Sequence, residues 1–534
     1  MKLVERFFWA WLMFTAMVGF PRQALARVGE AEEMRNQAAA DALFTNGIPH
    51  RLKIEIPRAG VRSLQQDPRA YVKATLREGS MVYSNVLIRL KGGAGSFRGL
   101  DDKPGFSLKL EEANVVFHGL SKFHLNNSVQ DDTYLSEWIC SEMFREAGVP
   151  AARAAHAVVE LNGRPLGFYV LLESVNQEFL ARYFKNPHGN VYGQSSNADI
   201  TEPLERMGGN ENTNGVDLRA LAAVCREADV ERLRVRLSEV LDLERFLSFM
   251  AMEAMLGHWD GYTRNVKNYI VYHDLDTDKM VFIPHDLDQI LRSTNEPIIP
   301  RAKGTVARAI LRVPDFRERY RKRFAELFTN VFEAPILIQR IDDRAALLAS
   351  QLRASNRGLA AELVQETQSL KSRILSRAQN LTMQLRQLEP GTLHVVDNQV
   401  PLHGWRVAGN SGNAKLAEAQ DATGQKAFWI AATGPTAASW RLKLVLAAGR
   451  YVFEGVVRAA GVKPVANETK GKGAGLRISG ATRSAGLVGD SPGTKMLVEF
   501  QVTEPEAEIE LICELRASQG EAWFDETSLR LIRQ

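Results

Sequence analysis

Between His258 and Gln289 the chain reads HWDGYTRNVKNYIVYHDLDTDKMVFIPHDLDQ. The pattern allows few backbone paths. Leu243, Phe246, Leu247 and Met250 recur at helical spacing ahead of it, and Gly257 is placed to end that helix. Asp260, Asn265 and Asn268 then occupy a short loop. Strands are expected at Tyr269 to Tyr272 and Met280 to Ile283, joined by the turn at Asp274, Asp276 and Asp278, whose carboxylates are ordinary turn chemistry. The second strand runs into Asp286 and Asp288. Helix, polar loop, hairpin and acidic exit therefore gather hard oxygen donors at one end of the hairpin, and magnesium takes such donors while leaving positions for phosphate and water.

An Asp five residues before an Asn, followed by a hairpin and another Asp, is how kinase-like folds place a base and metal ligands. The string D-G-Y-x-x-N-x-x-N-Y-x-x-Y with I-P-H-D-L-D resembles the signature of the spore-coat-protein-H (CotH) kinase family. Two further stretches carry the same resemblance in family order. One is R-x-K-G-x-x-x-S-x-R followed by K-P-x-F-x-L-K-L, residues 89–98 and 103–110. The other is V-x-L-N-G-x-P-L-G-F-Y-V-L-L-E, residues 159–173. The resemblance spans roughly Gly47 to Leu388.

The resemblance implies an α+β fold, an atypical protein-kinase-like domain of two lobes, that transfers the γ-phosphoryl of ATP to Ser or Thr of a protein with Mg2+ (or Mn2+). Asp260 would be the base. Asn265 or Asn268 and Asp286 would hold the metal, supported by Asp288. Gly93, Gly95, Ser96 and Arg98 lie in a glycine-rich turn between strands, where backbone N–H groups can cradle phosphate. Arg89 and Lys91 add positive charge there, and Lys103 or Lys109 would grip the phosphates. A helix expected over Asp132 to Glu146 puts Glu142 on the stripe of Leu135, Trp138 and Ile139, where it would pair with that lysine. A solvated Glu142 is the other reading, with Glu137 as the fallback partner. The family pattern carries an arginine where this helix has Ser136. Glu173 would sit where the lobes join, beside the nucleotide base, or act as a helix-capping or hinge-packing carboxylate.

The chain ends bound the rest. Lys2 and Arg6, an apolar run from Phe7 to Phe20, and Ala24-Leu25-Ala26 read as a signal peptide over residues 1–26, giving an exported protein with no membrane span after cleavage. Residues 27–46 read as a linker or short helix, and residues 47–390 as the kinase-like domain. With 67 basic against 63 acidic residues, no polyanion bias appears, and a nucleic-acid partner is not expected. Cys140, Cys225 and Cys513 form no disulfide framework and have no metal-ligand spacing, so buried thiols are expected.

From 391 to 534 alternating strands separated by Gly, Pro and Asn turns read as an all-β sandwich, jelly-roll-like, similar to carbohydrate-binding modules. Trp405, Trp429, Trp440 and Trp523 are expected to pack its core, with sugar stacking as the alternative. Two rival readings follow. In one, the kinase-like domain is an inactive scaffold and the sandwich binds polysaccharide or protein at the cell surface. In the other, the acidic site holds a structural calcium ion.

Overall fold

The computed structural model describes residues 31–112, 115–193, 198–209, 215–353, 356–386, 399–402, 404–408, 413–420, 424–465, 472–480 and 483–534. The expected signal peptide lies outside them. The chain divides after Arg386 into two compact units. Among the described residues no helix is long and apolar enough to cross a membrane.

The first unit opens with a helix over residues 31–45 (α1), the helical one of the two readings of residues 27–46. Ala40, Leu43 and Phe44 explain it, because at this spacing they form one apolar stripe that joins the core of the following sheet. That sheet uses β1 (His50–Glu55), β2 (Val72–Glu78), β3 (Met81–Lys91), β4 (Gly105–Lys109), β5 (Lys122–Asn126), β6 (Ala154–Leu161) and β7 (Arg164–Glu173). Helix α2 (Arg58–Gln66) lies between β1 and β2, and α3 (Ser136–Glu146) between β5 and β6. The N-terminal lobe implied by the resemblance is here a closed barrel in the order β1-β2-β3-β4-β5-β7-β6. It closes through a parallel pairing of β1 with β6, His50 opposite Ala157. Closure satisfies the backbone groups that an open sheet would leave on two edges.

Strand alternation then sorts the residues. On β3, Val86, Ile88 and Leu90 enter the barrel core, while Arg89 and Lys91 lie on its outer face. Arg89 is opposite Ser107, and Ser107 opposite His124, so β3, β4 and β5 present one polar outer face.

After β7 come α4 (Gln177–Ala181), β8 (Val191–Gly193), β9 (Glu205–Gly208), α5 (Val216–Cys225), α6 (Val230–Val240) and α7 (Leu243–Leu256). Then follow α8 (Tyr262–Asn265), β10 (Tyr269–Asp274) and β11 (Lys279–Pro284). Four helices close the unit: α9 (Thr305–Arg312), α10 (Pro314–Asn330), α11 (Ala334–Arg353) and α12 (Arg357–Arg386). A sheet in the order β11-β10-β8-β9 packs beside α7, which also packs on α10. Helix α7 is buried almost all round. Asp242 accepts the N–H of Arg245 at its start, and Gly257, at φ +59°, ends it.

The second unit contains β12 (Gln399–Pro401), β13 (Arg406–Ala408), β14 (Ala414–Gln420), β15 (Lys426–Ala432), β16 (Thr436–Lys463), β17 (Gly473–Ile478), β18 (Gly489–Ala517), β19 (Gln519–Asp525) and β20 (Arg530–Arg533). Its strands share one hydrogen-bonded network around a single core. Where four separate strands are expected, at 440–446, 451–458, 497–502 and 509–515, there are two long ones. Between the first two of these ranges the chain makes a register shift at Ala447/Gly449 in the β16–β18 pairing rather than a turn. Trp405 and Trp440 are core residues. Trp429 and Trp523 are partly exposed and lie outside that core cluster. All three cysteines are buried and unbonded.

Candidate active site

The site is assembled at the C-terminal end of α7. Glu253, in the last turn, accepts the backbone N–H groups of Tyr262 and Thr263, each at 2.8 Å, and so caps α8 from outside. This closeness requires glycine at 261, since a Cβ there would stand 2.2 Å from Glu253 Oε1. His258 is wedged between two carboxylates, Nδ1 at 3.6 Å from Glu253 and Nε2 at 3.5 Å from Asp260. Burial opposes protonation of this ring, but Glu253, Asp260 and Asp286 together raise its pKa. Asp260 Oδ1 is buried with no hydrogen-bond partner. Burial raises the pKa of this carboxyl and Asp286 adds to the rise, while His258 and a hydrogen bond from Asn268 oppose it.

The hairpin returns the chain to this point. Tyr269 on β10 pairs with Pro284 on β11, and the His285 N–H donates to the Asn268 carbonyl at 3.0 Å. Asn268 and Asp286 both hold left-handed backbone, at φ +51° and +56°. Such residues cost of order 1 kcal/mol or more and persist where the surroundings demand them. Asp286 and Asp288 then flank Leu287, whose N–H donates to Glu137 Oε2 on α3 at 3.1 Å. Helix α3 is itself set by Asp131, which accepts from Ser136 N (3.1 Å) and from Thr133 Oγ1 (2.6 Å).

Three acidic groups therefore crowd together around Asp286. Burial, with Asp286 next, pushes both Glu137 and Asp288 well above the carboxylate range. Lys91, on the outer face of β3, is the cation that opposes this rise at both. Its charge also joins burial in lowering the pKa of His285 and of His124. An oxygen-rich, carboxylate-crowded cleft with an orphaned buried oxygen on Asp260 fits a hard divalent cation, and Mg2+ needs only one or two carboxylates from protein.

The expected residues divide accordingly. Asp260, Asn268, Asp286 and Asp288 come together. Asn265, the other candidate, has its Oδ1 engaged by Lys303 Nζ at 3.0 Å. The expected pairing of Glu142 with Lys103 or Lys109 is absent. Glu142 meets Arg340, and Arg145 at 3.9 Å. Helix α3 is buried on nearly every side, so its apolar stripe does not single out one face, and the carboxylate facing the cleft is Glu137. Lys109 is paired with Glu111 at 2.7 Å. Lys103 donates to the Tyr134 hydroxyl at 2.9 Å and lies over the Tyr134 and Tyr169 rings, and burial lowers its pKa to about 8.

The glycine turn is internally braced. Ser96 Oγ accepts the Gly93 N–H at 3.0 Å, Arg98 donates to the Gly95 and Phe97 carbonyls, and Gly95 is at φ +87°. Asn127 pins both ends of the turn through the Ser96 and Lys103 carbonyls. Glu173 is buried and bound by Arg153 (2.8 Å) and Arg182 (2.6 Å), which ties the end of β7 to α4. Sequence reasoning missed His258 and Glu253 altogether. The one available signal was Glu253 on the buried face of an otherwise apolar helix, where a charge needs a partner.

A family model described as CotH kinase protein matches residues 88–381, over half of the chain. The inner spore coat protein H of Bacillus subtilis (strain 168) is 23% identical over 238 residues, covering 41% of this chain and 65% of that protein. The invasin CotH2 of Rhizopus delemar is 25% identical over 185 residues, covering 31% of each. The chain thus spans less than two thirds of the length of these relatives. Among solved structures, TmCBM61 in complex with β-1,4-galactotriose aligns with 24% of this chain and 88% of its own, at 19% identity. Its TM-score is 0.19.

Proposed function

Because the chain belongs to the CotH kinase protein family, we propose that its first unit is an atypical, two-lobed protein kinase that moves the γ-phosphoryl group of ATP onto Ser or Thr hydroxyls of a surface or coat protein. The observation that supports this most is the convergence of Asp260, Asn268, Asp286 and Asp288 with Glu137 and Lys91 in one partly buried acidic cluster. In this reading Asp286 and Asn268 hold Mg2+ (or Mn2+), with Asp288 behind them. The ion supplies neutralisation of charge on the phosphate oxygens.

Lys91 binds phosphate oxygens from the outer face of β3, beside the glycine turn. Glu137 keeps the Asp286–Asp288 turn in register. Asp260 orients the acceptor hydroxyl and takes its proton as the new oxygen–phosphorus bond forms. The bond from the γ-phosphorus to its bridging oxygen breaks, and ADP leaves. The raised pKa of Asp260 brings it nearer to a working base at neutral pH. Rate here comes from positioning and charge neutralisation rather than from covalent chemistry.

We extend the proposal to export after removal of residues 1–26, and to polysaccharide binding by the second unit. The latter is supported by a cross-strand row on its sheet. Trp429 is opposite Trp523, Trp523 is opposite Arg458, and Trp429 Nε1 donates to Glu521 at 3.1 Å. Part-exposed indoles beside polar groups suit the apolar face and hydroxyl rim of a sugar.

The test of the kinase reading is transfer itself. Purified chain incubated with γ-labelled ATP, Mg2+ or Mn2+, and a Ser-rich acceptor should place alkali-labile phosphate on itself or the acceptor. No transfer with either metal, from protein shown to be folded, would leave the scaffold reading in its place.

A further inference from the structure

A second cluster of ligating side chains lies at the barrel, apart from the acidic cleft. His50 begins β1, Glu78 ends β2, and His118 sits in the tight turn between Phe117 and Leu120. Glu78 gives one carboxylate oxygen to each imidazole, Oε1 to His50 Nδ1 at 2.5 Å and Oε2 to His118 Nε2 at 2.6 Å. One ligand atom from each of the three side chains lies within 4.8 Å of the others. Sequence separations of 28 residues from His50 to Glu78 and 40 from Glu78 to His118 conceal the cluster from any spacing motif.

The surroundings hold this arrangement in place. His118 is at φ +46° and Gly119 at φ +78°, and reciprocal bonds of 2.9 Å between Phe117 and Leu120 close the turn. A Cβ on Gly119 would stand 1.9 Å from the Asn36 carbonyl of α1, so the helix clamps the turn from outside. The Phe117 ring lies edge-on to both imidazoles, at 4.7 Å from His118 and 6.3 Å from His50. His50 is 8% exposed and its Nε2 is buried without a partner, which leaves Nδ1 as its ligating atom. His118 is 34% exposed, so the cluster opens to solvent on that side.

We propose that His50, Glu78 and His118 form a binding site for a zinc-class divalent cation, separate from the magnesium site of the cleft. Two imidazoles and a carboxylate are the borderline nitrogen and oxygen donors that zinc, cobalt and nickel prefer to magnesium. Three protein ligands leave a fourth position open on the His118 side. The bound ion ties β1, β2 and the α1-clamped turn into one unit.

Cobalt(II) is the probe, because its visible absorption reports ligand type and coordination. Chelator-stripped full chain in millimolar Mg2+ should bind one equivalent of cobalt with intense four-coordinate bands, and zinc should displace it. His118→Asn is the test variant, since asparagine tolerates the left-handed backbone at 118. It should weaken cobalt binding at least ~100-fold, more than the 10–100-fold typical of losing an outer-shell partner. Should that variant fail to fold, Glu78→Gln keeps hydrogen bonding to both rings and should lose the bands in the same way. Asp286→Ala should retain them. Absence of the bands in the parent, or their persistence in a folded His118→Asn or Glu78→Gln protein, would overturn the proposal.

Discussion

Glu137 Oε2 accepts the Leu287 N–H at 3.1 Å, across 150 residues of sequence. A buried carboxylate on α3 is thereby fastened to the backbone between Asp286 and Asp288, so the position of this helix and the position of both aspartates are one variable. Asp286 also raises the pKa of Glu137, so the contact holds two like-charged groups together in the absence of a cation.

Glu137→Gln should separate these effects. The amide oxygen still accepts the Leu287 N–H, and one crowded charge is removed. The expected outcome is a metal-free melting temperature equal to or above the parent's, with phosphoryl transfer close to the parent's because the turn stays in place. Glu137→Ala instead orphans a buried N–H and should cost about 1–3 kcal/mol. Thermal melts and turnover of the two variants, measured together, check this.

Lys91 and Lys103 should differ sharply. Lys91→Ala removes a charge that faces the cleft, and nucleotide affinity should fall by roughly 10–100-fold, the range for one charge-assisted hydrogen bond. Lys103→Ala removes a contact with Tyr134 and Tyr169 and should leave nucleotide affinity within about threefold. Equal losses in titrations of both would place the phosphates along the glycine turn instead.

The sheet behind the hairpin gives a pH prediction. His273 lies 3.1 Å from Asp217 and 2.8 Å from Asp278, and these carboxylates, Asp217 foremost, outweigh burial and raise its pKa. A raised histidine stabilises the fold fully below its unfolded pKa of about 6.5, and that stability fades as pH rises through the higher folded value. The melting-temperature gap between parent and Asp217→Asn should therefore be widest near pH 6 and narrow towards pH 9. A gap independent of pH would show that Asn190 and Tyr192, not His273, account for the role of Asp217.

The tryptophan row of the second unit is tested by affinity electrophoresis in polysaccharide gels. Trp429→Ala and Trp523→Ala should each relieve retardation, by the ~1 kcal/mol or so of one aromatic contact. Trp405 and Trp440 are core residues, and their replacement should instead cost about 3–5 kcal/mol of stability.

Much of this was legible because the signals are local. Alternation marks β3, turn residues mark the β6–β7 hairpin, and Gly257 marks the end of α7. What was hidden depends on distant partners. Alternation puts Lys91 on an outer face but does not show that its charge reaches His285, Glu137 and Asp288. Glu142 follows an apolar stripe correctly, yet α3 is buried on nearly every side and Glu137 faces the cleft. Asn265 and Asn268 are equivalent in the loop until Lys303 takes one of them. Strand β5 was missed because Lys122, His124 and Asn126 dilute its two apolar residues, and β1 meets β6 only through the closure of the barrel.

In the proposed kinase, Asp286 holds the metal–nucleotide complex and Asp260 removes the acceptor proton. Calorimetric titration of ATP in the presence and absence of magnesium, on the parent and on Asp286→Ala and Asp260→Ala, separates these two roles. Magnesium-dependent binding is expected in the parent, and its loss in Asp286→Ala. In Asp260→Ala binding is retained while turnover falls ~10²- to 10⁴-fold, as for loss of a general base. Magnesium-independent binding, or no binding, in a folded parent would contradict these roles, as would identical titrations from all three proteins.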